Sequence, residues 1–131
     1  MIVVAAVIEQ EGRILVCQRK RGARHEFKWE FPGGKVEHGE EPRAAVAREL
    51  QEELAIDAQI GQEIVRYEHS YQGRAPILLI FYRVTEFTGT VTNIVFEAME
   101  WTNPQSLGSY DFLDGDLDFV RRLARGEYAA S

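Results

Sequence analysis

Residues Gly34–Ile56 read GKVEHGEEPRAAVARELQEELAI, a stretch that combines a helix pattern with an unusual concentration of charge. Pro42 suits the first turn of a helix, where its missing N–H costs nothing. Downstream, apolar side chains recur at helical spacing at Val46, Leu50 and Leu54. We therefore predict an amphipathic helix from Pro42 through Leu54 that packs through this apolar stripe.

Three carboxylates lie beside that stripe, at Glu49, Glu52 and Glu53, within little more than one helical turn. Glutamates three and four positions apart on a helix repel one another, and the macrodipole disfavours negative charge near the helix C-terminus. Hard divalent cations, which prefer carboxylate oxygen, are the simplest explanation for such clustering. The alternative is an acidic, solvated helix face, which is the usual meaning of a charge run. That alternative does not explain the nearby Gly33–Gly34 pair or Arg48.

Length and composition indicate one globular domain covering residues 1–131. A chain of 131 residues is short for two domains, and its 45% hydrophobic and 27% charged residues are close to globular averages. The net charge of −6 argues against a protein that clamps long nucleic acid, because that affinity comes from Lys and Arg on phosphates. A small anionic substrate is compatible with this charge if bound metal supplies the positive field.

The apolar N-terminal run Ile2–Ile8 has no basic leader and is followed at once by Glu9, which fits neither a signal peptide nor a membrane span. The expected compartment is therefore the cytoplasm. Cys17 is the only cysteine, so a buried inert thiol is predicted, and neither a disulfide within the chain nor a zinc site is expected. The sequence leaves both a monomer and a homodimer open.

The rest of the chain alternates β-rich runs with turn signals. Gln10–Gly12 suits a hairpin between the first two runs, and Pro32 with the two glycines after it is expected to end the third. A second helix is predicted over Asp116–Arg125, with Gly126 as its C-terminal cap. The predicted strands, which we expect to form one mixed sheet, are Ile2–Glu9, Arg13–Arg19, Trp29–Phe31, Ile60–Ser70, Pro76–Phe87 and one or two within Val91–Trp101.

The central stretch also matches a known pattern, the Nudix box. The matching positions are Gly34, Glu40, Arg48, Glu49, Leu50, Glu52, Glu53 and Ile56. The chain therefore resembles the Nudix hydrolase family. Ala55 departs from the pattern, because the family usually has a glycine there in a left-handed conformation that alanine adopts at a cost of roughly 1–2 kcal/mol. The resemblance implies an α/β fold, the Nudix α/β/α sandwich with a mixed β-sheet, and hydrolysis of a nucleoside diphosphate linked to another group.

The resemblance assigns roles to the carboxylates. It implies that Glu52 and Glu53 ligate Mg²⁺, or Mn²⁺ in its place, together with the backbone carbonyl of Gly33 or Gly34. It makes Glu49 the group that orients or deprotonates the attacking water, and a further metal ligand. The carboxylate cluster agrees with this chemistry, because paired metal ions neutralise phosphate oxygens and lower the pKa of bound water.

Further side chains around this centre gain roles from the same resemblance. Arg48 is similar to the family arginine that pairs with a box carboxylate and fixes its rotamer, and Glu40 is similar to a bracing glutamate. The run Trp29–Lys35, WEFPGGK, resembles the MutT-like branch, which cleaves nucleoside triphosphates to monophosphate and pyrophosphate. Arg19 falls where that branch has a phosphate-contacting arginine, and the alternative is a surface arginine in a basic cluster.

The segment Phe112–Asp116, FLDGD, aligns with a stretch that lines the base pocket in MutT-like enzymes. Asp116 stands where an Asn or Asp reads the base edge, and it would suit the amino group of cytosine, or a guanine edge with proton sharing. The alternative is that Asp116 only caps the last helix. Phe112 either stacks on a base or belongs to the core.

One departure concerns a further metal ligand. Relatives in this branch, including the cytidine triphosphate pyrophosphohydrolases, carry a metal-binding glutamate six residues before the tryptophan that aligns with Trp101. Here that position is Val95. Strand alternation would put Glu97 on the same face as Val95, so Glu97 is a candidate substitute, whereas Glu100 would point away. The number of bound magnesium ions therefore stays open.

The sequence as a whole predicts a magnesium-dependent pyrophosphohydrolase of nucleoside triphosphates. House-cleaning of oxidised or modified nucleotides, such as 8-oxo-dGTP, or turnover of CTP is the role that the resemblance implies. Two alternatives remain: a Nudix hydrolase of ADP-sugars or dinucleoside polyphosphates, and a non-catalytic nucleotide-binding Nudix domain. In each case the expected partner is a small nucleotide, with no long nucleic acid and no membrane.

Overall fold

Two strands joined by a tight hairpin form the middle of the sheet. The computed structural model describes residues 1–129, and in it β1 spans Ile2–Gln10 and β2 spans Arg13–Gln18. The hairpin turns at Glu11 and Gly12, whose φ angles of 53° and 77° suit a two-residue turn of the primed type. The predicted hairpin is therefore confirmed.

Five of the remaining strands complete a mixed sheet, and the other two form a small second sheet. The remaining strands are β3 Trp29–Glu30, β4 Gly33–Lys35, β5 Asp57–Gln59, β6 Glu63–His69, β7 Ile77–Val84, β8 Glu86–Thr88 and β9 Ala98–Thr102. The main sheet has the order β3-β2-β1-β7-β6, with β4 paired to β1 and β9 paired to β2, while β5 and β8 form a small second sheet. β1 runs parallel to β7, and the other strand pairs are antiparallel, as the predicted mixed sheet requires.

The described chain has two α-helices, close to the two positions that the sequence predicts. The bounds are α1 Pro42–Leu54 and α2 Leu117–Ala124, with 3₁₀ turns at Pro104–Ser109 and Asp114–Asp116. α1 has the predicted bounds. It ends at Ala55, whose φ of 59° and ψ of 35° are left-handed, so alanine keeps the conformation that the family usually gives to glycine.

The two helices cover opposite faces of the sheet. Side chains of β1 alternate between them: Val4, Ala6 and Ile8 pack with α1, and Val7 packs with α2. A central strand buried on both faces reads as a continuous apolar run, which β1 does. The α/β/α sandwich is therefore confirmed. The buried helix residues are Ala45, Val46, Leu50 and Leu54 of α1 and Phe119, Val120 and Leu123 of α2.

β3 ends before Pro32, as predicted, but the glycines after Pro32 form a further strand, β4, which the sequence did not predict. β4 pairs with β1 through Val3 to Ala5. A Cβ placed on Gly33 would lie 2.0 Å from the carbonyl oxygen of Val4, so only a residue without a side chain fits this close pairing.

Three predicted strands also have different bounds. The run Ile60–Ser70 begins as a strand only at Glu63, and the run Pro76–Phe87 is divided at Thr85 into two strands. In the run Val91–Trp101, residues 91–97 form a loop, because the Asn93 side chain bonds both backbone groups of Phe96 at 2.8 Å and 2.9 Å. In this last run, local turn chemistry thus overrides the β-rich composition.

Candidate active site

The glycines of β4 lie directly against the acidic face of α1. A Cβ placed on Gly34 would lie 2.5 Å from Cδ of Glu49 and 2.7 Å from each of its carboxylate oxygens. Gly33 N–H donates a hydrogen bond of 3.1 Å to Oε1 of Glu53. Since β4 is fixed by its pairing with β1, the sheet holds a stretch of backbone without side chains beside two of the three predicted carboxylates.

Arg48 connects the other carboxylates of this face. Its Nε and Nη2 lie 2.9 Å and 3.1 Å from the two oxygens of Glu40, and its Nη1 lies 3.0 Å from Oε1 of Glu49. The same Nη1 lies 3.3 Å from Glu52, whose side chain is 58% exposed. These contacts agree with the predicted pairing of Arg48 with a box carboxylate and with Glu40 as its brace.

The inner end of the cluster is electrostatically strained. Burial raises the pKa of Glu53 to about 8, with further contributions from the negative charges of Glu49 and Glu30 and an opposing one from the Gly33 hydrogen bond. Burial also raises the pKa of Glu49, although Arg48 opposes this effect. A cation at this end would relieve the repulsion among these carboxylates.

The donor chemistry of the cluster fits a hard divalent cation. Within residues 1–129, no three His, Cys, Asp or Glu side chains already converge on one ion position. The contacts explain this, because Arg48 holds Glu49 and Glu52 while the backbone of Gly33 holds Glu53. Three carboxylates beside the half-buried backbone of β4 are nevertheless the oxygen donors that Mg²⁺ or Mn²⁺ prefers.

Glu30 is a further carboxylate, half-buried, which the sequence reasoning missed. Arg19 Nη1 lies 3.2 Å and 3.3 Å from its two oxygens, and Arg19 Nε donates to the carbonyl of Arg24 at 2.7 Å. Burial raises the pKa of Glu30, opposed by the Arg19 charge. The sequence offered one signal for it, an acidic residue between the aromatic residues Trp29 and Phe31. The structure thus orients Arg19 within an ion pair and not as a free surface side chain.

Asp116 lies at the start of α2 and is only 6% exposed. In the described chain its side chain makes no hydrogen bond that caps this helix, which counts against the capping alternative. Burial raises its pKa to about 8, and the negative charge of Glu30 adds to the effect. The charge of Glu30 therefore acts on Asp116, so the two carboxyl groups lie in the same part of the fold.

The segment before Asp116 is tied to β3, which explains this proximity. Trp29 N–H donates to the carbonyl of Asp111 at 2.8 Å, and Leu113 N–H donates to the carbonyl of Trp29 at 3.0 Å. Sequence alone did not indicate this pairing, because it joins residues far apart in the chain.

Other predicted residues lie elsewhere. Phe112 is 1% exposed, with its ring centroid 5.3 Å from that of Phe31, so it belongs to the core and the prediction that it stacks on a base is wrong. Glu97 precedes its strand, so the alternation argument for it is wrong, and its carboxylate accepts from Arg21 N–H at 3.2 Å. Cys17 is buried, and burial raises the pKa of its thiol well above the ordinary value, as an inert thiol requires.

Comparison with known proteins agrees with this geometry. A family model described as the NUDIX domain matches residues 1–123. The chain belongs to the Nudix family. Curated relatives of this Nudix protein include the CTP pyrophosphohydrolase of Escherichia coli K12, 38% identical over 90% of this chain and 87% of that protein. The 8-oxo-dGTP diphosphatase of the same organism is 32% identical over 95% of each chain.

Solved structures give the same assignment. The solution structure of the E. coli ORF135 protein has a TM-score of 0.85 at 35% identity, covering 98% of this chain and 91% of that one. The crystal structure of the MutT protein from Methanosarcina mazei Go1 also has a TM-score of 0.85, at 25% identity, covering 97% and 94%. The chain is a Nudix hydrolase of the MutT type, a family that generally uses divalent metals. Neither helix of the described residues has the length and apolar content needed to cross a bilayer.

Proposed function

We propose that this Nudix hydrolase, acting as one domain over residues 1–131, cleaves nucleoside triphosphates to nucleoside monophosphate and pyrophosphate with the help of Mg²⁺. The contact of Gly34 with the Glu49 carboxylate is the observation that carries the proposal. It brings strand backbone that carries no side chain directly against the carboxylate face of α1, where a cation could bind both carboxylate and carbonyl oxygens. The names of the E. coli relatives, which specify CTP and 8-oxo-dGTP, support a triphosphate as substrate.

The proposed metal ligands are Glu49, Glu52 and Glu53, with the backbone carbonyl of Gly33 or Gly34. Mg²⁺ held by these groups, or Mn²⁺ in its place, supplies charge that neutralises phosphate oxygens and lowers the pKa of a bound water. Glu52 can turn away from Arg48 at little cost, because an ion pair with a partner 58% exposed is weak.

The chain's own side chains then position the reactants. Glu49 is the proposed group that orients and deprotonates the attacking water, since it is partly buried and Arg48 fixes its carboxylate at 3.0 Å. Arg19 is the proposed phosphate contact, with its guanidinium held in place by Glu30 at 3.2 Å. Glu97 would have to leave the Arg21 N–H to join the metal ligands.

Base recognition is assigned in this proposal to Asp116, with Glu30 beside it. With a pKa of about 8, Asp116 is mostly a neutral acid at pH 7, so it presents one O–H donor and one carbonyl acceptor. That pair is complementary to N3 and the amino group of cytosine. It also complements a guanine edge that offers one N–H and one carbonyl oxygen, as oxidised guanine does.

A panel of normal and oxidised triphosphates tests the proposal directly. The protein is incubated with Mg²⁺ and each nucleotide, and pyrophosphate is resolved from inorganic phosphate. We expect pyrophosphate and monophosphate in equal amounts from CTP or from an oxidised purine triphosphate. Turnover only of ADP-sugars or dinucleoside polyphosphates would move the protein to another Nudix substrate class. Tight nucleotide binding without turnover would identify a non-catalytic nucleotide-binding domain.

A further inference from the structure

Two tyrosine hydroxyls form hydrogen bonds with the backbone of Gly115, the residue immediately before Asp116. Gly115 N–H donates a hydrogen bond of 3.1 Å to Oη of Tyr71, and Oη of Tyr67 donates one of 2.6 Å to the carbonyl oxygen of Gly115. One hydroxyl therefore holds the peptide plane that precedes Gly115, and the other holds the plane that leads into Asp116.

The fit around Gly115 leaves no room for a Cβ unless the Tyr71 hydroxyl moves. A Cβ placed there would lie 2.7 Å from Tyr71 Oη, 3.2 Å from Cδ2 of His69 and 3.3 Å from Cδ1 of Leu79. Because real side chains essentially never approach so closely, the backbone at Gly115 lies directly on the end of β6. The glycine is thus part of the tyrosine contact and not a flexible spacer.

Both tyrosines are themselves fixed. Tyr67 lies in β6, and its ring stacks on Phe81 of the neighbouring strand with centroids 5.9 Å apart. The Tyr71 ring lies against the His69 ring at 4.5 Å and against the His25 ring at 5.1 Å. The hydroxyls are therefore presented from the sheet and from packed aromatic rings, which makes them rigid anchors for a 3₁₀ turn.

We propose that Tyr67 and Tyr71 are positioning residues that determine base specificity by fixing Gly115 and, through it, the Asp116 side chain beside Glu30. This inference rests on the proposed function, in which Asp116 reads the base. Among the described contacts, both hydroxyls hold the Asp116 end of the site, whereas Arg48 and the β4 glycines contact the α1 carboxylates. Loss of the hydroxyls should therefore affect discrimination between bases more than the chemical step.

The test compares kcat and KM of the Tyr67→Phe/Tyr71→Phe double variant for CTP, UTP and an oxidised guanosine triphosphate. We expect the ratio of kcat/KM between the best and the worst base to fall by about tenfold, the effect of one or two lost neutral hydrogen bonds. The change should appear mainly in KM for the preferred base, with the Mg²⁺ dependence unchanged. Tyr82→Phe, on the α1 face of the sheet, is the matched control and should keep the wild-type ratio.

A second variant guards against misfolding of the first. Gly115→Ala should relax the same ratio by displacing the Tyr71 hydroxyl, while Gly108→Ala, with no atom within 4 Å of the new Cβ, should not. Unaltered discrimination in the folded double variant, or an equal loss of kcat for every base, would overturn the inference and leave the proposed function standing. No turnover of any triphosphate by the wild-type enzyme would instead reject the proposed function, and this inference with it.

Discussion

The guanidinium of Arg48 and the carboxylate of Glu40 form a two-point ion pair, with Nε to Oε2 at 2.9 Å and Nη2 to Oε1 at 3.1 Å. Glu40 lies in the loop before α1, and Arg48 lies two turns into the helix. The pair leaves Nη1 to hold Glu49 at 3.0 Å. A residue outside the helix thus sets the orientation of the carboxylate that we propose as the base.

Replacing Arg48 by lysine tests this arrangement. A single ammonium cannot hold Glu40 at two points and Glu49 at a third, so we expect Arg48→Lys to lower kcat by about tenfold with a smaller change in KM. Arg43→Lys on the same helix is the control, because Arg43 bonds only the Ile60 carbonyl among the hydrogen bonds described for it. Steady-state kinetics that left the kcat of Arg48→Lys at the wild-type value would remove Arg48 from the site.

Gly34→Ala tests the contact between β4 and α1. The added Cβ would meet the Glu49 carboxylate at 2.5 Å and push it aside, while the backbone at this position needs no glycine conformation. We expect the variant to fold but to lose activity by roughly two orders of magnitude, as loss of a positioned general base does. Gly108→Ala, which meets nothing within 4 Å, should leave activity unchanged. Full activity in a folded Gly34→Ala protein would contradict the proposed position of Glu49.

The sequence predicted α1 correctly because its start, stripe and end are all local signals. Pro42 opens the helix, the apolar spacing runs to Leu54, and the left-handed position follows at Ala55. The carboxylates of the site project from that helix, so they were found with it. The sequence did not predict β4, because two glycines after a proline indicate a turn. Only the pairing with β1 shows that they form a strand.

The base end of the site was predicted only in part. Asp116 was named by resemblance, but its contact with the sheet passes through Tyr67 and Tyr71, which lie more than forty residues away in sequence. Glu30 is a candidate site residue because it is partly buried and pairs with Arg19, and a single sequence displays neither property. A phenylalanine that stacks on a base and one that belongs to the core look alike in a sequence, and only the packing of Phe112 identifies it as core.

The raised pKa of Asp116 makes a prediction about stability against pH. The folded protein holds this proton with a pKa of about 8, above the ordinary value of 3.8. The stabilisation is therefore complete below about pH 4 and is lost as the pH rises through 8. The Asp116→Asn variant keeps its stability over this pH range, because the amide of Asn does not ionise. We expect the free energy of unfolding of the variant, relative to wild type, to rise by about 2–4 kcal/mol between pH 5 and pH 8.

Metal-free urea unfolding at the two pH values checks this prediction. Asp57→Asn, at an exposed position in β5, is the matched control for the change from Asp to Asn. The pKa values of Tyr67 and Tyr71 also respond to the charge on Asp116, so the comparison with the wild-type protein at each pH is needed. A stability difference that is the same at pH 5 and pH 8 would mean that Asp116 is ionised in the folded protein.

Asp116→Ala tests base reading itself. Removing the carboxyl leaves the α1 carboxylates untouched, so we expect altered preference among triphosphates with the metal requirement unchanged. The ratio of kcat/KM between bases should change by roughly tenfold or more, because a site built to hydrogen-bond a base loses discrimination without its partner. Asp118→Ala, at an exposed position of α2, is the matched control. An unchanged substrate profile would return Asp116 to a purely structural role.

The most direct measurement is the rate of pyrophosphate release from CTP and 8-oxo-dGTP by wild type and by Glu53→Gln, each with Mg²⁺ and with EDTA. We expect monophosphate and pyrophosphate from the wild-type enzyme only when Mg²⁺ is present, and a rate lower by roughly two or more orders of magnitude in a folded Glu53→Gln protein. Glu86→Gln, an exposed glutamate of β8, should retain the wild-type rate. Near-normal turnover by Glu53→Gln, or turnover in EDTA, would contradict the account.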